Sequence, residues 1–354
     1  MKSHEKYMRR CIEIAVGGMG KVAPNPLVGC VITNGDKIIG EGFHRVYGEP
    51  HAEVNAVTSL KDKSLLKSST IYVNLEPCSH YGKTPPCADF IIEQKIPKVV
   101  IGNIDCNEKV CGMGIEKLRN AGCEVITGVL DNECRELNKR FFVYHQNQRP
   151  YIILKWAQTT DHFMDINRKS IDEAPPAMIT SENARILDHK WRSEEAAIMI
   201  GTNTAFLDNP KLTTRNWYGE NPLRIVIDKH LKLLPSLKIF DDCKQTLIFT
   251  EKQKENDDAC RNEYVKVNFD NDLIPNICAY LREIKVQSMI VEGGYKLLSS
   301  FIESGLWDEA RIFTAEKYLK DGIKSPSISG KLINTVDFGS EKLEVFLNIL
   351  NSEL

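Results

Sequence analysis

The sequence predicts an α/β protein of two domains in tandem, on three observations. Short strand-like runs alternate with helical patterns, the signature of sheets covered by helices. The chain has 354 residues, long enough for two domains with a core each. A polar run, His145-Gln-Asn-Gln-Arg-Pro150, parts an amphipathic helix from a fresh strand. The boundary therefore falls near residue 148, giving domains 1–147 and 148–354.

Composition narrows the function classes. Hydrophobic residues at 42% and charged residues at 27% are ordinary globular values. A net charge of −2 lacks the basic excess that grips nucleic-acid phosphates. No apolar run approaches the ~20 residues of a membrane span, and Met1-Lys-Ser-His4-Glu5 opens no signal peptide. Eleven scattered cysteines suggest a reducing cytoplasm, with Cys11, Cys30, Cys123, Cys134 and Cys278 as small core residues. The expected partner is a small molecule, with neither nucleic acid nor membrane involved.

In the first half, His4 to Val16 has apolar residues at helical spacing, and Gly17-Gly18 ends it. Pro24-Asn25-Pro26-Leu-Val-Gly29 is a rigid turn feeding a strand to Ile32. Lys37 to Phe43 is its hairpin partner across Asn34-Gly35. A loop from His44 to Pro50 leads to a helix opened by His51 and Glu53. Thr70 to Leu75 is a strand, and Pro86 begins a helix with Cys87 in its first turn. Lys98 to Gly102, Gly114 to Asn120 and Glu124 to Thr127 continue the alternation, so this half is a three-layer α/β domain with a mixed sheet. Asp131 to Gln146 reads as one amphipathic helix.

The chemistry of this half gathers in His51-Ala-Glu53 and Pro77-Cys78…Cys87. One imidazole and two thiolates supply three ligands of a tetrahedral Zn²⁺ and leave a fourth position for water. Glu53, two residues past the histidine, is a poor fourth ligand but a good proton shuttle. Zinc nucleobase deaminases combine H-x-E and P-C…C pieces in this way. Cys87 at a helix start gains from backbone N–H groups and the helix dipole, which favour a thiolate. Asn25, between two prolines, is either a turn residue or an amide reading a pyrimidine edge. His44 is a hairpin-end histidine. His80 and Lys83 lie in the loop bracketed by the two cysteines, where Lys83 is placed to bind a substrate phosphate or ribose. Nucleic-acid deaminases carry C-x-x-C, whereas eight residues separate Cys78 from Cys87, a spacing better suited to a small phosphorylated substrate.

The second half opens with a strand, Tyr151 to Lys155, and then a polar loop, Asp165 to Pro176. Thr180 or Ser181 caps a helix running through Arg192. Ala196 to Gly201 is a short buried strand, and Thr202 to Arg215 is a long polar loop. Leu223 to Asp228, Gln245 to Thr250 and Ser288 to Glu292 are strands, and Leu273 to Ile284 is a helix. Gly293-Gly294 turns directly into a helix, Tyr295 to Glu303, leaving bare N–H groups at its positive end. The G-x-G-x-x-G fingerprint is absent, so the fold is not a Rossmann domain.

Pro24-Asn-Pro-Leu-Val-Gly29, Gly48-Glu-Pro-His51-Ala-Glu53 and Leu75-Glu-Pro-Cys-Ser-His-Tyr-Gly-Lys-Thr-Pro-Pro-Cys87 resemble the bifunctional riboflavin-biosynthesis deaminase/reductase family. His189-Lys-x-Arg192, Gly201-x-x-Thr204-x-x-x-Asp208-Asn-Pro210-x-Leu212-Thr and Val291-Glu-Gly-Gly294 resemble its reductase half. The resemblance implies a cytidine-deaminase-like three-layer domain followed by a dihydrofolate-reductase-like α/β domain. It implies Zn²⁺ on His51, Cys78 and Cys87, with Glu53 as proton shuttle and Asn25, His44, His80 and Lys83 on substrate. In the second half it implies Lys155, Asp208 and Glu292 at the reaction, and Arg192, Leu212 and Arg215 with Glu292 on substrate. Ala157, Thr204, Asp208, Gly294, Tyr295, Lys296, Leu297 and Leu298 are implied for NADPH. A homodimer or higher homo-oligomer through the reductase half is implied as well. From the residues alone, Asp208 could equally cap the turn before Pro210, and Arg192 could be a helix-end charge.

The chain departs from the family pattern at three places. Asp105-Cys106-Asn107-Glu108 replaces a loop with two prolines, Thr159-Thr160-Asp161-His162 replaces Ser-Leu-Asp-Gly, and Met178 replaces a tryptophan after a prolonged loop. A histidine where the backbone needs positive φ is costly, which brings the nicotinamide-side contacts into question. Two rival readings are a nucleoside or tRNA-base deaminase with a degenerate second domain and a zinc-stabilised binding protein. The cysteine gap opposes the first. Glu53 opposes the second, because a structural zinc normally recruits a fourth protein ligand.

Overall fold

A computed structural model of the chain describes residues 2–81, 85–106, 111–171, 173–241, 244–256 and 261–349. It divides into two compact units, Met1–Gln148 and Arg149–Leu354.

The first unit runs α1 (Lys2–Ala15), β1 (Gly29–Asn34), β2 (Lys37–Phe43), α2 (Ala52–Thr58), β3 (Thr70–Leu75), α3 (Cys87–Glu93), β4 (Lys98–Asn103), α4 (Met113–Asn120), β5 (Glu124–Ile126), α5 (Asp131–Leu137) and α6 (Lys139–Gln146). The sheet order is β2-β1-β3-β4-β5, antiparallel around β1 and parallel from β3 to β5. Strand alternation sends successive residues to opposite faces. Cys30, Ile32, Ile71, Val73, Val99 and Ile101 meet α2, α3 and α4 on one face. Val31, Tyr72 and Val100 meet Tyr7, Met8 and Cys11 of α1 and Cys134 of α5 on the other. Both faces are thus closed by helices, as the alternation predicts.

One expected helix is two. The amphipathic stretch 131–146 breaks at Asn138 (φ −103°, ψ 19°), whose amide serves another segment. Its Oδ1 accepts from Leu27 N at 2.8 Å, and its Nδ2 donates to Leu27 O at 2.9 Å. Asn74, fully buried, repeats the device: Oδ1 accepts from Gly29 N at 2.7 Å and Nδ2 donates to Leu27 O at 2.9 Å. Two buried asparagines therefore fix the Pro24–Gly29 turn that carries Asn25.

The second unit runs β6 (Tyr151–Thr159), β7 (Phe163–Asp165), α7 (Glu182–Glu194), β8 (Ala197–Gly201), α8 (Thr202–Asp208), β9 (Leu223–Ile227), β10 (Thr246–Thr250), β11 (Asn262–Lys266), α9 (Leu273–Glu283), β12 (Ser288–Val291), α10 (Tyr295–Glu303), β13 (Glu309–Ala315), β14 (Ile323–Lys324), β15 (Lys331–Asp337) and β16 (Glu341–Leu347). Nine strands form one sheet in the order β11-β10-β9-β8-β12-β6-β13-β16-β15, parallel through β13 and antiparallel after it. Leu154 and Trp156 of β6 point into the core built with α9 and α10. Lys155 lies between them and so faces the opposite side, where α7 packs. Arg149 anchors the unit's start through a bidentate pair with Asp308 at 2.6 and 2.7 Å.

Here the structure corrects the sequence reading in extent. The predicted loop 202–215 opens with a helix, α8. The first strand runs on to Thr159, and β13 to β16 follow the last predicted element. His162 adopts φ 63°, the left-handed region in which a non-glycine residue is disfavoured by roughly 1–2 kcal/mol. The turn is held all the same: His162 N donates to Thr159 O, and Ser325 N donates to His162 O, both at 2.9 Å.

Candidate active sites

The first site is assembled from helix starts and a strand end. His51 is the N-cap of α2, Glu53 lies in that helix's first turn, and Cys87 is the first residue of α3. Cys78 follows β3 on a segment fixed by Glu76. The buried Glu76 carboxylate accepts backbone N–H groups from Asp105 and Gly112 at Oε2 and from Gly114 and Ile115 at Oε1, all at 2.9–3.2 Å. Gly114 is required there, because a Cβ would lie 2.2 Å from Pro77 O.

His51 Nδ1 lies 3.2 Å from Cys87 Sγ and 3.6 Å from Cys78 Sγ, and Cys87 N donates to Cys78 Sγ at 3.3 Å. The three ligand atoms lie within 4.8 Å of one another. The Cys78 thiol is lowered to about 4, first by its hydrogen bond with Cys87 and then, against burial, by His51. Burial pushes the Glu53 carboxyl up, and its Oε2 is buried with no hydrogen-bond partner. His44 is buried, meets His51 edge-on at 5.2 Å and lies 3.1 Å from Asn25 Nδ2 through Nε2. Its Nδ1 is 3.3 Å from Pro50 O, and burial lowers its pKa. Neutral His44 therefore donates from Nδ1 and accepts the Asn25 amide at Nε2. His80 is exposed on the loop between the cysteines, and Lys83 lies outside the described residues. One imidazole and two thiols at this spacing fit a zinc ion, with Glu53 outside the ligand group.

The second site is a cavity of ≈ 1290 Å³ at the carboxyl ends of β6, β8, β9 and β12. Lys155, Ala157, Thr204, Asp208 and Glu292 line it, as do Gly294, Tyr295, Lys296 and Leu297. Leu298 instead lies in the α10 core, and Leu212 is buried in the core on the other face of the sheet. Arg192 is held against Glu292, with Nη2 2.7 Å from Oε2. Arg215 is exposed, near enough to Arg192 and Arg185 to feel their charge. Burial works against an ionised Glu292, but Arg192 and Lys155 overcome it and hold the carboxyl at about 2.

Two further residues escaped sequence reasoning. Asp188 on α7 takes the Lys155 ammonium at 2.5 Å, and burial raises its pKa against that partner. Its signal was present: Ala184, Asp188 and Trp191 form a buried helical stripe interrupted by one carboxylate. Arg168, in the polar 165–176 segment, pairs with Asp165 and Asp208. Nothing in the sequence distinguishes it from a solvated arginine.

The cavity fits a dinucleotide. α8 and α10 begin at Gly201 and Gly294, neither end is capped by a side chain, and both glycines line the cavity. A Cβ on Gly294 would come within 3.2 Å of Thr204 Oγ1, so a side chain there would crowd the approach of the two helix starts.

A family model for the cytidine and deoxycytidylate deaminase zinc-binding region matches residues 1–103, and one for the RibD C-terminal domain matches residues 150–344. Riboflavin biosynthesis protein RibD of Aquifex aeolicus is 38% identical over 90% of this chain and 88% of its own. The Escherichia coli protein of the same name is 33% identical over 89% and 88%. The chain belongs to the RibD family. RibD proteins are bifunctional enzymes of riboflavin biosynthesis, and this chain joins a zinc-dependent deaminase to an NADPH-dependent reductase. A crystal structure of the deaminase/reductase from Thermotoga maritima superposes with TM-score 0.88 at 34% identity, covering 98% of this chain and 99% of that one. Acinetobacter baumannii RibD superposes with TM-score 0.89 at 28% identity and the same coverage. No helix among the described residues is long and apolar enough to cross a membrane.

Proposed function

We propose that residues 1–147 deaminate 2,5-diamino-6-(5-phosphoribosylamino)pyrimidin-4(3H)-one, and that residues 148–354 reduce the ribosyl group of the product to ribityl. The Thermotoga relative's named activities support this substrate class. The observation that carries the reading is a buried glutamate, with Oε2 left without a hydrogen-bond partner, beside three converging ligand atoms.

Zinc held by His51, Cys78 and Cys87 would lower the pKa of a water from about 15.7 toward ~7. Glu53 takes a proton from the attacking water and delivers one to the departing ammonia. Its desolvated carboxyl, with pKa raised by burial, suits a group that must hold a proton between the two steps. Asn25, oriented by His44 and the buried asparagines, reads the pyrimidine edge, and the ribose phosphate is assigned to His80 and Lys83 on the family resemblance alone.

NADPH would supply the hydride at the second site. Lys155 and Asp208 present a cation and an anion to the opened ribose, whose carbon 1 takes the hydride while its nitrogen takes a proton. Arg192, Arg215 and Glu292 orient the phosphorylated sugar. Asp188 holds the Lys155 ammonium, and Arg192 and Lys155 together keep Glu292 ionised. Gly294 to Leu297, Thr204 and Ala157 hold the cofactor.

We also read the protein as a cytoplasmic homodimer, formed through the reductase half. The nine described cysteines are free thiols, and the edge strand β15 exposes Leu332, Ile333 and Val336. Sedimentation reads the assembly state. The function is tested by incubating the diaminopyrimidinone ribotide with zinc-loaded protein and identifying products by mass. Without NADPH the amino group is lost as ammonia, and with NADPH the product also gains two hydrogens. Intact substrate under both conditions contradicts the reading.

A further inference from the structure

The polar segment between β7 and α7 supplies a cavity wall: Asp165, Arg168, Pro176, Ala177 and Ile179 all line the site. Its far end is tied by Lys317, whose Nζ donates to Met178 O at 2.5 Å and to Ile179 O at 3.3 Å. Asp165 closes the segment on itself, accepting Ala177 N at 2.8 Å. Arg168 connects the segment to α8, donating to Leu207 O at 2.9 Å through Nη1, to Asp165 at 3.0 Å through Nε, and through Nη2 to both Asp165 and Asp208.

We infer that Arg168 is a positioning residue for the reduction, fixing the Asp208 carboxylate at the cavity from behind. The inference rests on the reading of Asp208 as a reductase residue. Two features separate it from direct ligand binding. The Arg168 side chain is 2% exposed whereas that of Asp208 is 33% exposed, so the carboxylate and not the guanidinium is presented to a ligand. Every guanidinium nitrogen already donates to the protein, and its planar fork leaves little freedom to turn toward a phosphate. Asp208 meets Arg168 through Oδ1, which leaves Oδ2 for a ligand. Arg168 is shared with Asp165, so its charge does not cancel Asp208 alone.

A double-mutant cycle on the full-length, zinc-loaded enzyme tests this, with NADPH oxidation followed in single turnovers and ammonia release as an internal control. Arg168→Ala should cut the reductase rate at least tenfold, mainly in kcat, with ammonia release unchanged. Arg168→Lys should recover part of the rate, since it keeps the charge but loses the fork. On an Asp208→Ala background, Arg168→Ala should cost nothing more, because its only route to the chemistry is gone. A full-rate Arg168→Ala enzyme, or losses that multiply in the double variant, overturns the inference. A full-rate Asp208→Ala enzyme instead overturns the underlying reading of Asp208. Should Arg168→Ala lose the cooperative unfolding of the second unit, Arg168→Lys takes its place in the cycle under the same criterion.

Discussion

The two sites are built by different means. At the zinc centre the ligands fall within one short stretch, His51 and Cys87 lying 36 residues apart, with His51 capping α2 and Cys87 opening α3. Behind the reductase cavity, Arg192 pairs with the lining residue Glu292, 100 residues away, and the two meet because β12 inserts between β8 and β6. The first site depends on local chemistry and the second on sheet order. The first keeps one carboxylate with no ion pair among the described residues and with Oε2 unbonded, while the second pairs its carboxylates with cations: Asp188 with Lys155, Glu292 with Arg192, Asp208 with Arg168.

Breaking the unpaired carboxylate should have the largest effect. Glu53→Gln should lower ammonia release by roughly 10²–10⁴-fold, the usual worth of a positioned proton carrier, with zinc content unchanged by metal analysis. At the paired site, Lys155→Ala or Asp208→Ala should lower NADPH oxidation by about 10²-fold or more while ammonia release continues.

A smaller effect tests the framework under the zinc ligands. Glu76→Ala leaves three buried N–H groups and one part-buried one without their acceptor and should cost roughly 2–4 kcal/mol in urea unfolding, with faster zinc loss to a chelator. The smallest is a pH effect at Glu292. Its carboxyl, ordinarily near 4.5, is held at about 2 in the fold, so its stabilisation is whole above pH 4.5 and drains as pH falls toward 2. Glu292→Gln should remove that part of the acid limb, read as a shallower fall of the urea midpoint below pH 4.5.

This contrast also explains what the sequence could tell. The zinc ligands were legible because a histidine, two cysteines and a glutamate carry chemistry in their identities, and because prolines and helix starts mark their places. The 131–146 stretch was misread as one helix because its period says nothing of Asn138 leaving the pattern to bind Leu27. α8 was missed because Thr202-Asn-Thr204 has the composition of a loop, and tertiary packing of Ala205 overrides it. Arg168 meets Asp208 from 40 residues away and Asp188 meets Lys155 from 33, pairings that no local pattern encodes. The turn at His162 was legible as a departure, since a histidine at positive φ is an exception in any chain.

The central claim, two chemistries at two separate sites, is tested most directly by mixing. Glu53→Gln protein should reduce but not deaminate, and Asp208→Ala protein should deaminate but not reduce. Combined with the ribotide and NADPH, the pair should form the ribityl product that neither makes alone. Loss of both activities from either single substitution would contradict the account.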